Sequence, residues 1–391
     1  KQFEKDFYKK ISFDKDIFTY KNILSNEIYN QKILVIGGAG TIGSNYIKQI
    51  LKFKPSKITV VDINENGLTE LTRDLRSSNL LDYNPEYITY PVNLLSDTFD
   101  KIFNSDRWQV VANFSAHKHV RSEKDKISVE ALIKNNVYGA IKLLNLCEIN
   151  TPNFFFSVST DKAANPVNIM GASKSLMEKL ILSKKDQFRV STARFANVAF
   201  SNGSLLDGFI YRLNKKQPLS CPEDIKRFFV TPDQSGQICM LATFLGETGN
   251  IFFPKLDFHK DQIYFKEIAI DFLKENGFQP ELVQSEKDAK EFDFELNPTK
   301  YPIYFFKTDT SGEKTYEEFF TEEEDYDINK YDSLGIINTI DIKISFEDVE
   351  TDFEKVFKNF DSNKSEIVTI IKKYVPDFEH IETGKHLDQK M

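Results

Sequence analysis

A glycine-rich segment, Gly37-Gly38-Ala39-Gly40-Thr41-Ile42-Gly43, has the residue types and spacing that most directly indicate chemistry in this sequence. It follows the apolar run 32–36 and opens a stretch with helical periodicity. Gly37 permits a tight turn, Gly40 lets the backbone approach a pyrophosphate, and Gly43 lets a helix pack closely on the strand. The first turn of that helix would present its N–H groups to phosphate oxygens. The segment therefore predicts a dinucleotide-binding loop.

A carboxylate stands where the second strand of such a unit would end. Asp62 closes the apolar run 58–62 and lies 19 residues after Gly43. A carboxylate at this place accepts hydrogen bonds from the adenine-ribose hydroxyls and repels a 2′-phosphate. We therefore expect NAD as the cofactor, with NADP the less favoured alternative.

The elements that would position these residues alternate along the chain. Short apolar runs suited to strands buried on both faces lie at residues 32–36, 58–62, 87–92, 109–114, 154–159 and 190–195. Predicted helices lie between them at residues 43–53, 67–77, 128–148 and 173–184. This alternation predicts an α/β fold, a doubly wound parallel-sheet Rossmann fold, with a smaller α/β lobe towards the C-terminus.

We expect the chain to divide into an arm, a nucleotide-binding domain and a substrate lobe. Residues 1–30 form a helical arm with Phe3, Phe7 and Ile11, and then Phe18 and Ile23, at helical spacing. Residues 31–200 form the NAD-binding domain, to which residues 229–249 return, and residues 201–228 and 250–391 form the substrate lobe and a helical extension. Within that extension, Phe346 to Phe360 predicts an amphipathic helix, and the acidic run 322–327 predicts a solvated surface.

Composition narrows the classes of protein that this chain can represent. It has 391 residues, 40% of them hydrophobic, which is enough for a large buried core. Its net charge is −8, without a long basic run, which argues against nucleic acid as a partner. No window of 18 uncharged apolar residues suggests a membrane span, and residues 1–31 lack the apolar core of a signal peptide. Three scattered cysteines do not suggest a disulfide framework. We expect a soluble, cytoplasmic protein.

Further polar segments recur at or after the predicted strand ends and helix starts. They are Asn113–Val120, Asn135–Gly139, Ser159–Ala163, Met170–Lys174, Arg194–Val198 and Arg227–Phe229. Together with the Gly-x-x-Gly-x-x-Gly spacing, they resemble the extended short-chain dehydrogenases/reductases that act on nucleotide sugars. The resemblance is greatest to the polysaccharide-biosynthesis (CapD-like) nucleotide-sugar 4,6-dehydratases and covers about residues 32–242. The segment Ser311–Lys314 resembles, more loosely, a soluble subgroup of nonulosonic-sugar pathways.

One position departs from the wider family. The family pairs a tyrosine base with a lysine four residues later that holds the nicotinamide ribose; here Lys174 is present, but Met170 occupies the tyrosine position. A thioether cannot act as a general base. Either redox chemistry has been lost, or the base lies elsewhere.

The triplet Thr160-Asp161-Lys162 supplies the alternative groups. It follows a central strand at its carboxyl end, where open α/β sheets bind ligands. The resemblance implies that a dehydratase subgroup with Met for Tyr, the configuration-retaining UDP-N-acetylglucosamine 4,6-dehydratases, uses this triplet. Thr160 would assist loss of the C4 hydroxyl proton, Lys162 would remove the C5 proton, and Asp161 would protonate the departing C6 hydroxyl. A surface ion pair of Asp161 with Lys162, and a loop cap by Thr160, are the structural alternatives.

The resemblance implies the remaining site residues. For the cofactor they are Gly37, Gly40, Thr41, Ile42, Gly43, Asp62, Asn93, Ser115, Ala116 and Lys174. For a nucleotide-sugar substrate they are Lys118, Met170, Arg194, Asn197, Ser204 and Arg227. Arg227 is best suited to the diphosphate, because a guanidinium can bond two oxygens at once, whereas Arg194 is alternatively a structural residue. His117 and His119 have no third ligand at a suitable spacing, so we predict no metal site.

Two other functions compete with the dehydratase. A nucleotide-sugar epimerase would share the hydride step but lose no water, and Met170 argues against it. A non-catalytic NAD(P)-binding protein would keep the fold alone, and Lys174 with the triplet argues against that. We also expect a homo-oligomer, because helices 128–148 and 173–184 resemble those of the family's helical dimer interface. UDP and GDP sugars both remain open as substrates.

Overall fold

A computed structural model describes residues 11–115, 123–159, 163–164, 166–194, 197–199, 201, 204–257, 260–308 and 319–380. The strands are β1 (Lys32–Ile36), β2 (Lys57–Val61), β3 (Glu86–Tyr90), β4 (Val110–Asn113), β5 (Phe154–Val158), β6 (Val190–Ala193), β7 (Asn197–Val198), β8 (Leu219–Pro222), β9 (Lys226–Arg227), β10 (Phe229–Val230), β11 (Asn250–Pro254), β12 (Ile263–Tyr264), β13 (Gln279–Val283), β14 (Lys300–Phe306), β15 (Asp325–Asp327) and β16 (Leu334–Asn338). The helices are α1 (Asp14–Thr19), α2 (Lys21–Ile28), α3 (Thr41–Leu51), α4 (Glu65–Ser77), α5 (Asp97–Phe103), α6 (Lys126–Ile133), α7 (Gly139–Ile149), α8 (Ile169–Leu182), α9 (Leu205–Asn214), α10 (Pro232–Phe244), α11 (Phe265–Glu275), α12 (Glu286–Lys290), α13 (Phe346–Lys358) and α14 (Lys364–Tyr374). A π-helical segment, Lys134–Tyr138, joins α6 to α7.

Nine of the described strands form one large sheet in the order β15-β16-β11-β6-β5-β4-β1-β2-β3. From β3 to β11 every neighbouring pair is parallel, and β16 and β15 add antiparallel strands at one edge. Ile36 at the end of β1 pairs with Val61 on one side and with Asn113 on the other, so the carboxyl ends of the central strands share one edge. The order β3-β2-β1-β4-β5-β6 is that of the Rossmann fold, which confirms the predicted doubly wound α/β architecture.

Both faces of the sheet are covered, because alternate strand residues enter two different cores. Ile33 and Val35 of β1 belong to a first core, shared with α3, α4 and α10. Leu34 and Ile36 belong to a second core, shared with α6, α7 and α8. All four of these β1 side chains are at most 2% exposed. This two-sided burial explains why the sequence shows continuous apolar runs rather than alternation.

A smaller lobe has its own core. Strands β13, β14 and β8 form a parallel three-stranded sheet, and buried side chains of α9 and α11 pack on it, including Leu206, Phe209, Ile268 and Phe272. The prediction placed residues 250–391 in the substrate lobe and a helical extension, and three strands of that range lie elsewhere. β11, β15 and β16 extend the large sheet instead, because the apolar run 250–254 pairs with β6 and is buried on both faces.

The predicted amphipathic helix also packs on the nucleotide-binding domain. Val349 and Phe353 of α13 and Ile367 and Ile371 of α14 are fully buried in the second core, on the side of α6, α7 and α8. Phe360, predicted to continue this apolar face, lies past the end of α13 and is fully exposed. We call α13 and α14 the C-terminal helical pair.

Polar contacts hold the C-terminal helical pair on that face. Tyr138 donates to Glu354 at 2.9 Å, and Lys179 donates to the Tyr374 carbonyl at 2.9 Å. The helices predicted to form a dimer interface are therefore covered, on this face, by helices of the same chain.

The N-terminal arm packs on the body of the same chain. Phe13, Leu24 and Ile28 are fully buried, whereas Phe18 is 80% exposed and Ile23 is 44% exposed. Phe18 and Ile23, which the sequence places at helical spacing, therefore lie on the solvent side of α1 and α2. Phe3 and Phe7 lie outside the described residues. No described helix is both long and apolar enough to cross a membrane.

Candidate functional site

The loop after β1 is closely packed against the end of β4. Gly37 has φ of 76°, and a Cβ atom there would lie 2.6 Å from the Ser115 nitrogen. A Cβ on Gly43 would lie 2.5 Å from the Gly37 carbonyl oxygen. Both positions therefore require glycine, as the predicted dinucleotide-binding loop does. Gly40 is the N-cap of α3 and provides no side-chain cap, which leaves the start of the helix accessible to a phosphate, beside Thr41 and Ile42.

Asp62 has a second role that the sequence did not reveal. One carboxylate oxygen accepts the backbone N–H of Ala39 at 3.0 Å, and the other accepts that of Asn64 at 2.9 Å. The carboxylate thus braces the glycine loop from the end of β2. Since an ionised carboxylate has about four lone-pair sites, it retains acceptor capacity for ribose hydroxyls.

The next two predicted cofactor residues lie at the same edge of the sheet. Asn93 follows β3, is exposed, and accepts the Leu95 N–H at 2.9 Å. Ser115 follows β4, and its N–H donates to Asn113 at 3.0 Å. Ala116 and Lys118 lie outside the described residues, as do His117 and His119.

Helix α8 carries Met170 in its first turn and Lys174 one turn later. The Met170 side chain is 1% exposed and belongs to the second core, and Lys174 is 3% exposed. Thr160, Asp161 and Lys162 lie outside the described residues. Their described neighbours Ser159 and Ala163 are 6% and 4% exposed.

A short hydrogen-bond chain, missed from the sequence, ties α8 to the neighbouring helices. Asn136 donates to the Ser173 hydroxyl at 2.8 Å, and that hydroxyl donates to the Met170 carbonyl at 2.7 Å. Asn136 lies in the π-helical segment, a feature often found at functional sites. The signal in the sequence was the adjacent pair Asn135-Asn136 in the middle of a predicted helix.

The structure assigns Arg194 to a buried ion-pair network rather than to a ligand. Its Nε and Nη2 donate to the two carboxylate oxygens of Glu178 at 2.8 and 2.7 Å. Its Nη1 donates to the Phe319 carbonyl and to Glu324, both at 3.0 Å. The predicted diphosphate role is thus disfavoured, because the protein already occupies both ends of the guanidinium. The prediction that the acidic run 322–327 is a solvated surface is therefore wrong for Glu324, which bonds Arg194.

The remaining predicted substrate residues lie where the large sheet meets the smaller lobe. Asn197 starts β7, which pairs with β10. Arg227 is 3% exposed in β9, donates to the Lys226 carbonyl at 2.9 Å, and lies 6.0 Å from the Phe265 ring centroid. Ser204 is the N-cap of α9, where its hydroxyl accepts the Asp207 N–H at 3.2 Å. Among the described residues, no group of three or more His, Cys, Asp or Glu side chains is arranged to hold a metal ion.

Comparison with known proteins identifies relatives of this chain. The family model for polysaccharide biosynthesis proteins matches residues 33–339. The uncharacterized membrane protein MJ1061 of Methanocaldococcus jannaschii is 29% identical over 327 residues, covering 80% of this chain and 87% of that protein. The capsular polysaccharide biosynthesis protein CapD of Staphylococcus aureus is 27% identical, covering 88% of this chain but only 53% of CapD. An inverting UDP-N-acetylglucosamine 4,6-dehydratase of Campylobacter jejuni is 29% identical, covering 59% of this chain and 68% of that enzyme.

Solved structures share the fold. Pen from Bacillus thuringiensis superposes with a TM-score of 0.66 at 20% identity, covering 85% of this chain and 98% of Pen. DesIV, a dTDP-glucose 4,6-dehydratase from Streptomyces venezuelae solved with NAD and TYD bound, gives 0.56 at 17% identity, covering 73% and 87%. The UDP-Glc/GlcNAc 4-epimerase of Campylobacter jejuni gives 0.55 at 18% identity, covering 75% and 91%. The family match over most of the chain, the strand order and the glycine loop agree, and this chain belongs to the polysaccharide biosynthesis protein family, with the fold of an extended short-chain dehydrogenase/reductase.

Proposed function

We propose that this chain is a nucleotide-sugar 4,6-dehydratase that acts on UDP-N-acetylglucosamine, or on its GDP counterpart, for surface-glycan or nonulosonic-acid biosynthesis. The observation that carries the proposal is Met170, packed in the second core in the first turn of α8. Because a thioether cannot exchange a proton, the acid and base must come from another element. The triplet Thr160-Asp161-Lys162 follows β5, next to α8 in the chain, and offers a hydroxyl, a carboxylate and an amine.

The described residues fit a dinucleotide. The Gly37 turn leaves no room for a side chain against Ser115, Gly40 provides no side-chain cap at the start of α3, and Asp62 follows β2 and bonds the Ala39 N–H of that loop. We propose that Gly37 to Gly43 hold the pyrophosphate and that Asp62 selects NAD over NADP through the ribose hydroxyls. Lys174 would hold the nicotinamide ribose. Bound NAD would supply reversible hydride transfer, from C4 and back to C6 of the sugar.

The residues of the chain would supply the proton transfers. Thr160 assists removal of the C4 hydroxyl proton, and the resulting ketone acidifies the C5 proton. Lys162, as a neutral amine, removes that proton, while protonated Asp161 gives one to the C6 hydroxyl. That hydroxyl leaves as water, and once C6 has received the hydride the Lys162 ammonium returns a proton to C5, so the product is a 4-keto-6-deoxy sugar. Arg227 and Asn197 would contact the diphosphate and the sugar.

The experiment is mass spectrometry of purified protein with UDP-N-acetylglucosamine and catalytic NAD⁺ in D₂O. A product lighter by one water, with solvent deuterium at C5, supports the dehydratase. Asp161→Asn and Lys162→Ala should abolish water loss, whereas Asp186→Asn, at an exposed position after α8, serves as the matched control and should leave it unchanged.

Other outcomes decide between the alternatives. An inverted carbon without loss of water would favour an epimerase, the activity of one structural neighbour. Reaction only with GDP-N-acetylglucosamine would replace uracil by guanine as the nucleobase of the substrate and leave the proposed dehydration unchanged. No reaction with either sugar, with NAD still bound, would favour a non-catalytic NAD-binding protein.

We propose retention at C5, on the basis of Met170, although the Campylobacter dehydratase relative is named as inverting. Proton coupling constants in the NMR spectrum of the product distinguish the two outcomes. We also propose a cytoplasmic homo-oligomer. Because the C-terminal helical pair covers part of the outer face of α6 to α8, the subunits of this oligomer would meet through surface that the pair leaves uncovered.

A further inference from the structure

A buried carboxylate from another part of the chain caps the start of α8. Glu123 is 3% exposed, and its Oε1 accepts the Ile169 N–H at 2.9 Å. Its Oε2 accepts the Met170 N–H at 3.1 Å, and the N-cap residue Asn168 accepts the Gly171 N–H at 2.6 Å. Two side chains therefore satisfy the first three N–H groups of α8. The positive end of the helix dipole also stabilises the negative charge of Glu123.

This carboxylate joins two segments that the site depends on. Glu123 follows β4 in the chain, shortly after the segment 113–120 that the sequence analysis associated with cofactor and substrate. The N–H group of Met170 is one of its two partners, and Lys174 lies one helical turn further along the same face. Any rotation or shift of the first turn of α8 would therefore displace Lys174.

The C-terminal end of the described chain closes over the same carboxylate. The Glu379 N–H donates to the Pro166 carbonyl at 3.2 Å, which places this segment beside the residues that precede α8. His380 Nε2 lies 3.6 Å from Glu123 Oε1. Val375 and Phe378 are buried in the second core. The segment 375–380 thus helps to keep the Glu123 carboxylate out of water.

We propose that Glu123 is a positioning residue: its carboxylate fixes the first turn of α8 and, through it, the place of Lys174 against the cofactor. The proposal rests on the proposed function, because it takes Lys174 as the residue that holds the nicotinamide ribose. A misplacement of about 1 Å at a reacting centre can reduce a rate by about 10²-fold. The loss should therefore appear in kcat rather than in the KM for the sugar.

The test compares three variants of the full chain. Glu123→Gln keeps the shape of the side chain but sets an NH₂ group against one backbone N–H, and we expect kcat per NAD-loaded site to fall by about 10- to 100-fold, with KM within about 3-fold. Glu123→Asp keeps the charge and should recover part of that kcat. Glu366→Gln is the matched control, because Glu366 closes a capping box at the exposed start of α14, and its kcat should be unchanged.

The readout separates positioning from stability alone. A merely structural Glu123 would lower the unfolding temperature but leave kcat per loaded site, and the Kd of the folded protein for NAD, unchanged, and that result would overturn the proposal. If the unmodified chain turns over no nucleotide sugar, the proposed function fails separately, and the Kd for NAD becomes the measurement. A weaker affinity in Glu123→Gln would then support the positioning of Lys174, and an unchanged affinity would reject it. Should Glu123→Gln not fold, Glu123→Asp takes its place: a kcat per NAD-loaded site below that of the parent supports the proposal, and an unchanged kcat overturns it.

Discussion

Replacement of Arg194 by Met tests whether this guanidinium serves the fold or the substrate. The side chains of Arg194 and Glu178 are only 5% and 3% exposed, and Arg194 bonds both oxygens of that carboxylate. Burial by itself lowers the pKa of Arg194, but the negative charges of Glu178 and Glu324 outweigh it and raise the pKa above its ordinary value. The arginine thus stays charged, and its removal leaves Glu178 buried without its cation.

The magnitude follows from that geometry. Removing one partner of a buried ion pair costs about 3–5 kcal/mol of unfolding free energy, whereas replacing both by apolar groups of similar volume is often neutral. We therefore expect Arg194→Met to destabilise the chain by about 3–5 kcal/mol, and the double variant Arg194→Met/Glu178→Met to regain most of it. The KM for the nucleotide sugar should change little in the folded protein.

The assay is urea unfolding followed by fluorescence of the single tryptophan, Trp108, which is 1% exposed in the second core. Steady-state kinetics on the same preparations supply KM. An Arg194→Met protein with an unfolding free energy within about 1 kcal/mol of the parent, but with a KM raised tenfold or more, would refute the structural assignment. Arg194 would then be a diphosphate ligand, as one alternative from the sequence had it.

Three further changes have expected outcomes. Gly37→Ala forces a side chain onto a residue with φ of 76° and a Cβ position 2.6 Å from the Ser115 nitrogen, so calorimetric titration should show NAD affinity reduced by about tenfold or more. Phe353→Asp places a charge in the second core and should cause aggregation on size-exclusion chromatography, whereas Phe360→Asp, at a fully exposed position, should elute as the parent does. Burial raises the pKa of Asp106, but hydrogen bonds from Lys32 and Lys57 lower it from 3.8 to about 2. Because this folded-state pKa is depressed, Asp106 stabilises the chain above about pH 4, and that contribution is lost as pH falls to about 2. Asp106→Asn should therefore flatten the fall in urea midpoint over that range.

The sheet could be predicted from the sequence because its strands are buried on both faces. The predicted run 154–159 became β5 at Phe154–Val158, and the predicted run 32–36 is β1 without change. Helix α8 was predicted to begin at Ser173 but begins at Ile169. The signal for the earlier start was Asn168, whose side chain accepts the Gly171 N–H.

The partners of Arg194 could not be predicted, because they are set by tertiary packing. Glu178 lies 16 residues away on α8, and Glu324 lies 130 residues away in an acidic run. A charge run in a sequence indicates a polar surface, but it does not show which member meets a buried cation. Here, Glu324 is 23% exposed and bonded to Arg194, whereas Glu322 and Glu323 are exposed.

The packing partner of the C-terminal helical pair could not be predicted from the sequence either. The spacing of Val349, Phe353 and Phe357 establishes an apolar face, but a face of this kind can be buried equally well by the smaller lobe, by another subunit or by the large sheet. In the structure this face packs in the second core, where Val349 and Phe353 are fully buried. The ring centroids of Phe357 and Tyr138 lie 6.3 Å apart. Helices α6 to α8, which carry Met170, Lys174 and Asn136, therefore have part of their outer face covered within one chain. The packing that supports Lys174 thus includes the buried side chains of the C-terminal helical pair, so changes in those side chains, unlike changes at its exposed positions, are expected to affect the site without touching a ligand.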